Sequence, residues 1–147
     1  MSTPTDTAAS PAAPKPIRIA PIVTPDAKFF WEGADREEFL GQKCSDCHKF
    51  RFPPRPMCPY CHSLKREEVP LSGYGTVHAW TVPRHPPPFG FREAPIVAVI
   101  DLQEGIRFVS NVVGISIEEM QQDLPVEVTF EPTMNKHKVP VFKPRAL

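Results

Sequence analysis

The chain has no net charge, because its 17 lysines and arginines balance 17 aspartates and glutamates. A protein whose main task is gripping phosphate backbones needs a strong basic excess, so a nucleic-acid-binding role is disfavoured. No apolar run is long enough to cross a membrane. No secretory signal is legible at the start, and the expected address is cytoplasmic. Cysteine is missing everywhere except between residues 44 and 61. Once those few thiols are committed, none remains as a nucleophile. No Ser/His/Asp pattern lies in a helical or strand context that would bring its members together. These absences argue against an enzyme that works alone.

What is present is concentrated in that one stretch. It reads Cys44-Ser-Asp-Cys47, ten further residues, then Cys58-Pro-Tyr-Cys61. Each Cys-x-x-Cys knuckle can present two thiolates to one point from a tight turn. Four thiolates at about 2.3 Å form the closed coordination of a structural zinc site. Lys43, Lys49, Arg51 and Arg55 flank them and favour the ionised form a metal requires. Two rivals stay open at this stage. His48 and His62 turn both knuckles into Cys-x-x-Cys-His, the attachment site of c-type haem, although export to an oxidising compartment would then be needed. Disulfides, or a metal other than zinc, are the other. Zinc is preferred, with the two histidines at the knuckle tips.

Charge is segregated despite the zero sum. Basic residues dominate from Lys43 to Arg66 and acidic ones from Asp101 to Glu131, so one end could meet an anionic ligand or an acidic partner. Six of the 20 prolines fall before residue 26, in a stretch with almost no large apolar side chain. Residues 1–25 are therefore expected to be a disordered arm.

Thr24-Pro25-Asp26 opens a helical segment, placed at 26–41, in which Gly33 is expected to interrupt or end the first helix and Asp35–Phe39 to form a second turn. The adjacent aromatics Phe29, Phe30 and Trp31 cannot all face one core. Residues 42–66 carry the knuckles on short hairpins, a zinc ribbon that cannot stand without its metal. From residue 67 to 147 the period changes to two. Strands are expected at Glu67–Leu71, Thr76–Val82, Ile96–Leu102, Ile106–Val113, Val126–Glu131 and Val139–Phe142, with a Ser116-x-x-Glu119 capping box before the penultimate one. The fold class is thus mainly β, with a small Greek-key OB-fold barrel preferred over an open sandwich.

These residues resemble a known family. Phe30-Trp31-Glu32, Lys43-Cys44-Ser-Asp-Cys47, Phe52-Pro53-Pro54-Arg55-Pro56 and Cys58-Pro59-Tyr60-Cys61 carry the likeness. So do Ser72-Gly73-Tyr74-Gly75-Thr76-Val77, Trp80-Thr81-Val82, Val112-Val113-Gly114 and Pro140-Val141-Phe142. The family is that of small proteins with an N-terminal helical segment, a rubredoxin-like zinc ribbon and an OB-fold, many of which accompany acyl-CoA thiolases, related aldolases or hydratases. The departure is at His48 and His62, where the family often has glycine. The resemblance implies a non-catalytic subunit in a hetero-oligomer with a thiolase-like catalytic subunit, the pair sharing an acyl-CoA site. An acyl-CoA hydratase partner is the alternative.

Contact sites are expected in two places. Residues 83–95 form the longest irregular stretch, where Arg84, His85 and Arg92 could meet a phosphate or carboxylate and Phe89 and Phe91 a partner's pocket. Lys49, Arg51, Lys65 and Arg66 on the ribbon could meet the phosphates of coenzyme A. Lys136, His137 and Lys138 could do the same before the last strand. Trp80, beside His78, is expected to pack into the barrel.

Overall fold

The computed structural model describes residues 15–146. A short 3-10 turn at Pro25–Ala27 leads into helix α1, Lys28–Asp35. Contrary to expectation, Gly33 lies inside this helix. A Cβ there would come within 2.8 Å of Leu40 Cδ1, so the helix keeps its glycine to pack closely on the next strand. The helix ends instead at Asp35, and Glu37 just beyond it has a left-handed φ of 62°. The Glu38 N–H donates back to the Gly33 carbonyl (2.8 Å), an ordinary device for closing a last turn. The second helical turn expected at Asp35–Phe39 therefore does not form.

Three strands build the ribbon: β1 (Leu40–Cys44), β2 (Phe50–Arg51) and β3 (Arg66–Pro70), in the order β2-β1-β3. The expectation gave β3 to the barrel, but Lys43 pairs with Glu67 and Gly41 with Val69 in an antiparallel register. Its sequence, Arg-Glu-Glu-Val-Pro, has too little apolar pattern to choose a sheet. The partner strand decides.

The barrel comprises β4 (Tyr74–Thr81), β5 (Ile96–Leu102), β6 (Arg107–Val112), β7 (Pro125–Pro132) and β8 (Lys138–Pro144). It closes in the order β4-β5-β6-β8-β7, with Gly75 opposite Val126 to seal β7 onto β4. Closure leaves no free edge on a sheet of only five strands. Along β5 the residues Ile96, Ala98, Ile100 and Leu102 point inward and are buried. Val77, Val126 and Phe142 meet them, all fully buried. Gly75 is small because a Cβ there would lie 2.6 Å from the Asp101 carbonyl oxygen. The register slips between Val77 and Ala79, and past this bulge the outer half of β4 leaves the core. Trp80, although it pairs with the buried Ala98, is 37% exposed and lies at the rim rather than in the barrel core.

Ribbon, helix and barrel share one aromatic seam. Phe30 from α1, Phe39 ahead of β1, Phe52 after β2, Phe108 from β6 and Phe142 from β8 stack with ring centroids 4.6–6.2 Å apart. Phe30 is buried, while Phe29 and Trp31 pack against the core from its margin, which resolves the three-aromatic problem.

The arm expected at residues 1–25 behaves differently where it is described. Its first 14 residues lie outside the described residues. From residue 15 onward the chain is a strap laid on the barrel. Arg18 is buried, its Nε donating to Glu131 Oε2 and its Nη1 to Asn111 Oδ1, both at 2.7 Å. The backbone is tied on both sides, Ile17 N–H to the Gly90 carbonyl (2.9 Å) and Met134 N–H to the Arg18 carbonyl (2.8 Å). A composition argument misses this because one well-partnered arginine outweighs a polar average.

Candidate metal centre and contact surfaces

The knuckles close on one another. In each, the N–H of the residue after the second cysteine turns back to the first cysteine's carbonyl: His48 to Cys44 and His62 to Cys58, both at 3.0 Å. Both histidines hold a left-handed φ, 62° and 61°, a conformation that costs any side-chain-bearing residue and suits glycine. Their side chains point to solvent. The four sulfurs lie within 4.8 Å of one another. Cys44–Cys61 and Cys47–Cys58 each measure 3.6 Å, close to the roughly 3.8 Å edge of a tetrahedron with 2.3 Å metal–sulfur bonds. All four are free thiols, which removes the disulfide alternative. Sulfurs gathered round one point are also not splayed toward the two separate vinyl groups of a haem. The donor set fits a tetrahedral thiophilic ion.

Electrostatics at the cluster favour a metal over a bare tetrathiol. The Cys47 backbone N–H is the main cause of a lowered pKa at Cys44, working against burial. Burial pushes the Cys58 thiol up, but the Cys61 and Tyr60 backbone N–H groups, with the Cys47 and Cys61 sulfurs, outweigh it and bring the value down to about 6. At Cys61 the Ser63 backbone N–H favours the thiolate. Burial and the sulfurs of Cys44, Cys47 and Cys58 win, and the value is pushed up to about 12. Four clustered thiols cannot all ionise unaided. A dication supplies the missing compensation and displaces the remaining protons.

The residues of the 83–95 stretch divide between two faces. Arg84, His85 and Arg92 share a cleft of about 520 Å³ with Ile117 at its side. Phe89 and Phe91 line another, of about 410 Å³, together with Arg18, Trp31 and Val109. Phe89 is 70% exposed, whereas Phe91 is half-buried beneath the Arg18 guanidinium (5.3 Å from its ring). Ile17, Ile19, Ile22 and Val109 are likewise exposed.

The four basic ribbon residues do not form one site. Lys49 lies over the Tyr60 ring (4.5 Å), Lys65 reaches Asp46 (3.8 Å) and Arg66 reaches Asp26 (3.3 Å). Arg51 is not on the solvated face at all: it is 2% exposed and donates through Nε to Gln42 Oε1 (2.9 Å). His137 and Lys138 are occupied too. His137 Nδ1 lies 2.9 Å from Asp35 Oδ2, and the Lys138 ammonium bridges to Glu37 at 2.9 Å, which fastens the end of α1 to β8. His78 lies 3.1 Å from Asp101. The residues that sequence reasoning missed are Arg18 and Gln42. The alternating Ile17-Arg18-Ile19 was the available signal for the first, and nothing local marks the second. Among the described residues no helix is long and apolar enough to cross a membrane.

The matches to known proteins fall on the same two bodies. Residues 31–65 match the ChsH2 rubredoxin-like zinc ribbon domain, and residues 68–131 the ChsH2 C-terminal OB-fold domain. A DUF35 domain-containing scaffold protein of Pyrococcus furiosus is 34% identical over 78% of this chain and 79% of its own. A probable enoyl-CoA hydratase alpha subunit of Thermomonospora curvata is 34% identical over 89% of this chain. The match spans only 41% of that relative's length. In three dimensions the chain superposes with a TM-score of 0.80 on a solved chain described as an Ltp2-ChsH2(DUF35) aldolase, at 34% identity over 85% of this chain and 98% of that one. With four clustered cysteines ahead of a closed five-stranded barrel, and with relatives matched across both bodies, the chain belongs to the DUF35 family of ChsH2-type zinc-ribbon and OB-fold proteins.

Proposed function

We propose that this chain is a non-catalytic subunit of a thiolase-superfamily complex that makes or breaks a carbon–carbon bond in an acyl-CoA thioester. The observation that carries the reading is the match of ribbon and barrel together to a chain described as part of an Ltp2-ChsH2(DUF35) aldolase. In this reading Zn²⁺ is held by Cys44, Cys47, Cys58 and Cys61. A closed four-sulfur shell leaves no position to activate water or substrate, so the metal shapes the ribbon and the partner supplies nucleophile and acid–base groups. Thiols that must stay reduced suit the cytoplasm.

The strap and the 83–95 loop make the docking face. Ile17, Ile19, Phe89 and Val109 are apolar and exposed, the first two on a strap held by the Arg18–Glu131 ion pair, and such preorganised apolar groups suit a partner's surface. Arg84, His85 and Arg92 in the neighbouring cleft would face the thioester ligand or the partner. A hydratase partner is the second reading, favoured by the relative described as a hydratase alpha subunit. Co-expression with a thiolase-superfamily subunit and, separately, with a hydratase subunit separates the two. The expected result is a complex with the first whose turnover depends on this chain. Phe89→Ala should weaken that complex by about tenfold or more without changing the circular dichroism. Full activity of the partner alone overturns the proposal.

A further inference from the structure

We infer that the cleft between the ribbon and the β5–β6 turn is a binding site for a phosphate-bearing anion, with Arg51 at its base and Arg55 and Arg107 at its sides. The cleft has a volume of about 360 Å³ and is lined also by Tyr60 and Ile106, and no carboxylate lines it. This set shares only Arg51 with the ribbon residues expected to meet coenzyme A, and it holds whether or not a partner docks elsewhere.

The argument starts from three nitrogens. Arg51 Nη1, Arg51 Nη2 and Gln42 Nε2 are buried and meet no partner among the described residues. All three are donors, so what is missing is an acceptor. Neither a carboxylate nor one of the cysteine sulfurs takes that place. Their neighbours are satisfied: Gln42 Oε1 accepts from Arg51 Nε and from the Arg55 backbone N–H, each at 2.9 Å. That double acceptance fixes the orientation of the amide, holds the guanidinium in place and ties residue 55 to the same spot. A buried guanidinium without a counter-charge is strongly disfavoured. The fork of an arginine matches the paired oxygens of an oxyanion. Arg107 is already paired with Asp101 (2.7 Å), which leaves Arg51 and Arg55 as two uncompensated cations at one opening. Two positive charges favour a dianionic phosphate monoester over a single carboxylate.

The test uses the zinc-loaded full chain, with the arginine side-chain N–H signals followed by NMR at constant ionic strength. Inorganic phosphate is expected to shift the Arg51 and Arg55 signals saturably, and acetate to bind more weakly. Coenzyme A binding more tightly than inorganic phosphate would place the phosphate on an acyl carrier, and equal affinity would identify free phosphate. Arg51 is buried and its replacement endangers the fold, so the diagnostic variant is Arg55→Gln, which should weaken phosphate binding about tenfold. Absence of a saturable shift, an unchanged affinity in Arg55→Gln, or acetate binding as tightly as phosphate overturns the inference. A chain that binds phosphate but captures no partner keeps this inference and loses the docking reading, and the converse result does the opposite.

Discussion

Ribbon and barrel are held together by different physics. The barrel buries Val77, Ile100, Val126 and Phe142 completely and closes its hydrogen-bond ladder on itself, so water exclusion and a missing edge suffice to define it. The ribbon has a two-residue strand, a central strand and a charged third strand. Its fully buried side chains are Cys44, Cys58 and the polar Gln42. Burial alone cannot sustain that. One lobe stands on its apolar interior, while the other gathers four sulfurs that fit a metal. A small protein can thus couple a robust platform to a metal-conditional lobe, with the aromatic seam as the joint between them.

The sharpest break in this comparison is metal removal. Structural zinc in small domains is worth about 10–16 kcal/mol of folding free energy near neutral pH. Chelation, or Cys58→Ser, should therefore unfold the ribbon and leave the barrel's amide signals in place. Collapse of both lobes together would show that the barrel depends on the metal too. Acid should reach the same state. The Cys58 pKa is depressed from its ordinary 9.0 to about 6, so stability tied to its thiolate is fully present above pH 9 and lost as the pH falls through 6. Protons then compete with the metal for the same sulfur. A chelating dye should find zinc retained at pH 7 and released in acid, where protons outcompete the metal for the sulfurs.

Phe108→Ala probes the joint. Phe108 is 5% exposed and its ring lies 4.6 Å from that of Phe52 and 5.3 Å from that of Phe39. Truncating a buried phenylalanine typically costs about 3–5 kcal/mol. Denaturant titration should show that loss in the barrel and reduced protection in the ribbon. A loss confined to one lobe would mean the seam does not couple them. The smallest effect is expected at the knuckle tips. His48→Gly and His62→Gly relieve left-handed φ values, and each should stabilise the zinc-loaded ribbon by about 1 kcal/mol. Thermal melts of the single variants check it.

Much of the barrel was legible because its signals are local. The period-two strands at Ile96–Leu102 and Val126–Glu131 and the capping box at Ser116 and Glu119 depend on neighbours in sequence. The cysteine knuckles were legible for the same reason. What stayed hidden depends on distant partners. Nothing in Arg66-Glu67-Glu68-Val69-Pro70 announces pairing with β1, and nothing near Gly33 announces Leu40 against it. Nothing beside Trp80 announces that it stays 37% exposed although a slip in register sets it opposite the buried Ala98. Arg51 looked like one more surface cation until Gln42 was placed opposite it.

The link from β3 to β4 has a mechanical consequence. Only Leu71, Ser72 and Gly73 separate the two strands. The Leu71 N–H is bonded to the Phe39 carbonyl (2.8 Å), its side chain is buried, and the Ser72 N–H donates to Glu104. Such a joint has no slack to act as a hinge: swinging one lobe would expose an apolar side chain and strip two donors at once. A second protein touching both lobes would therefore meet a single stiff edge, and would forfeit little orientational freedom in settling against it.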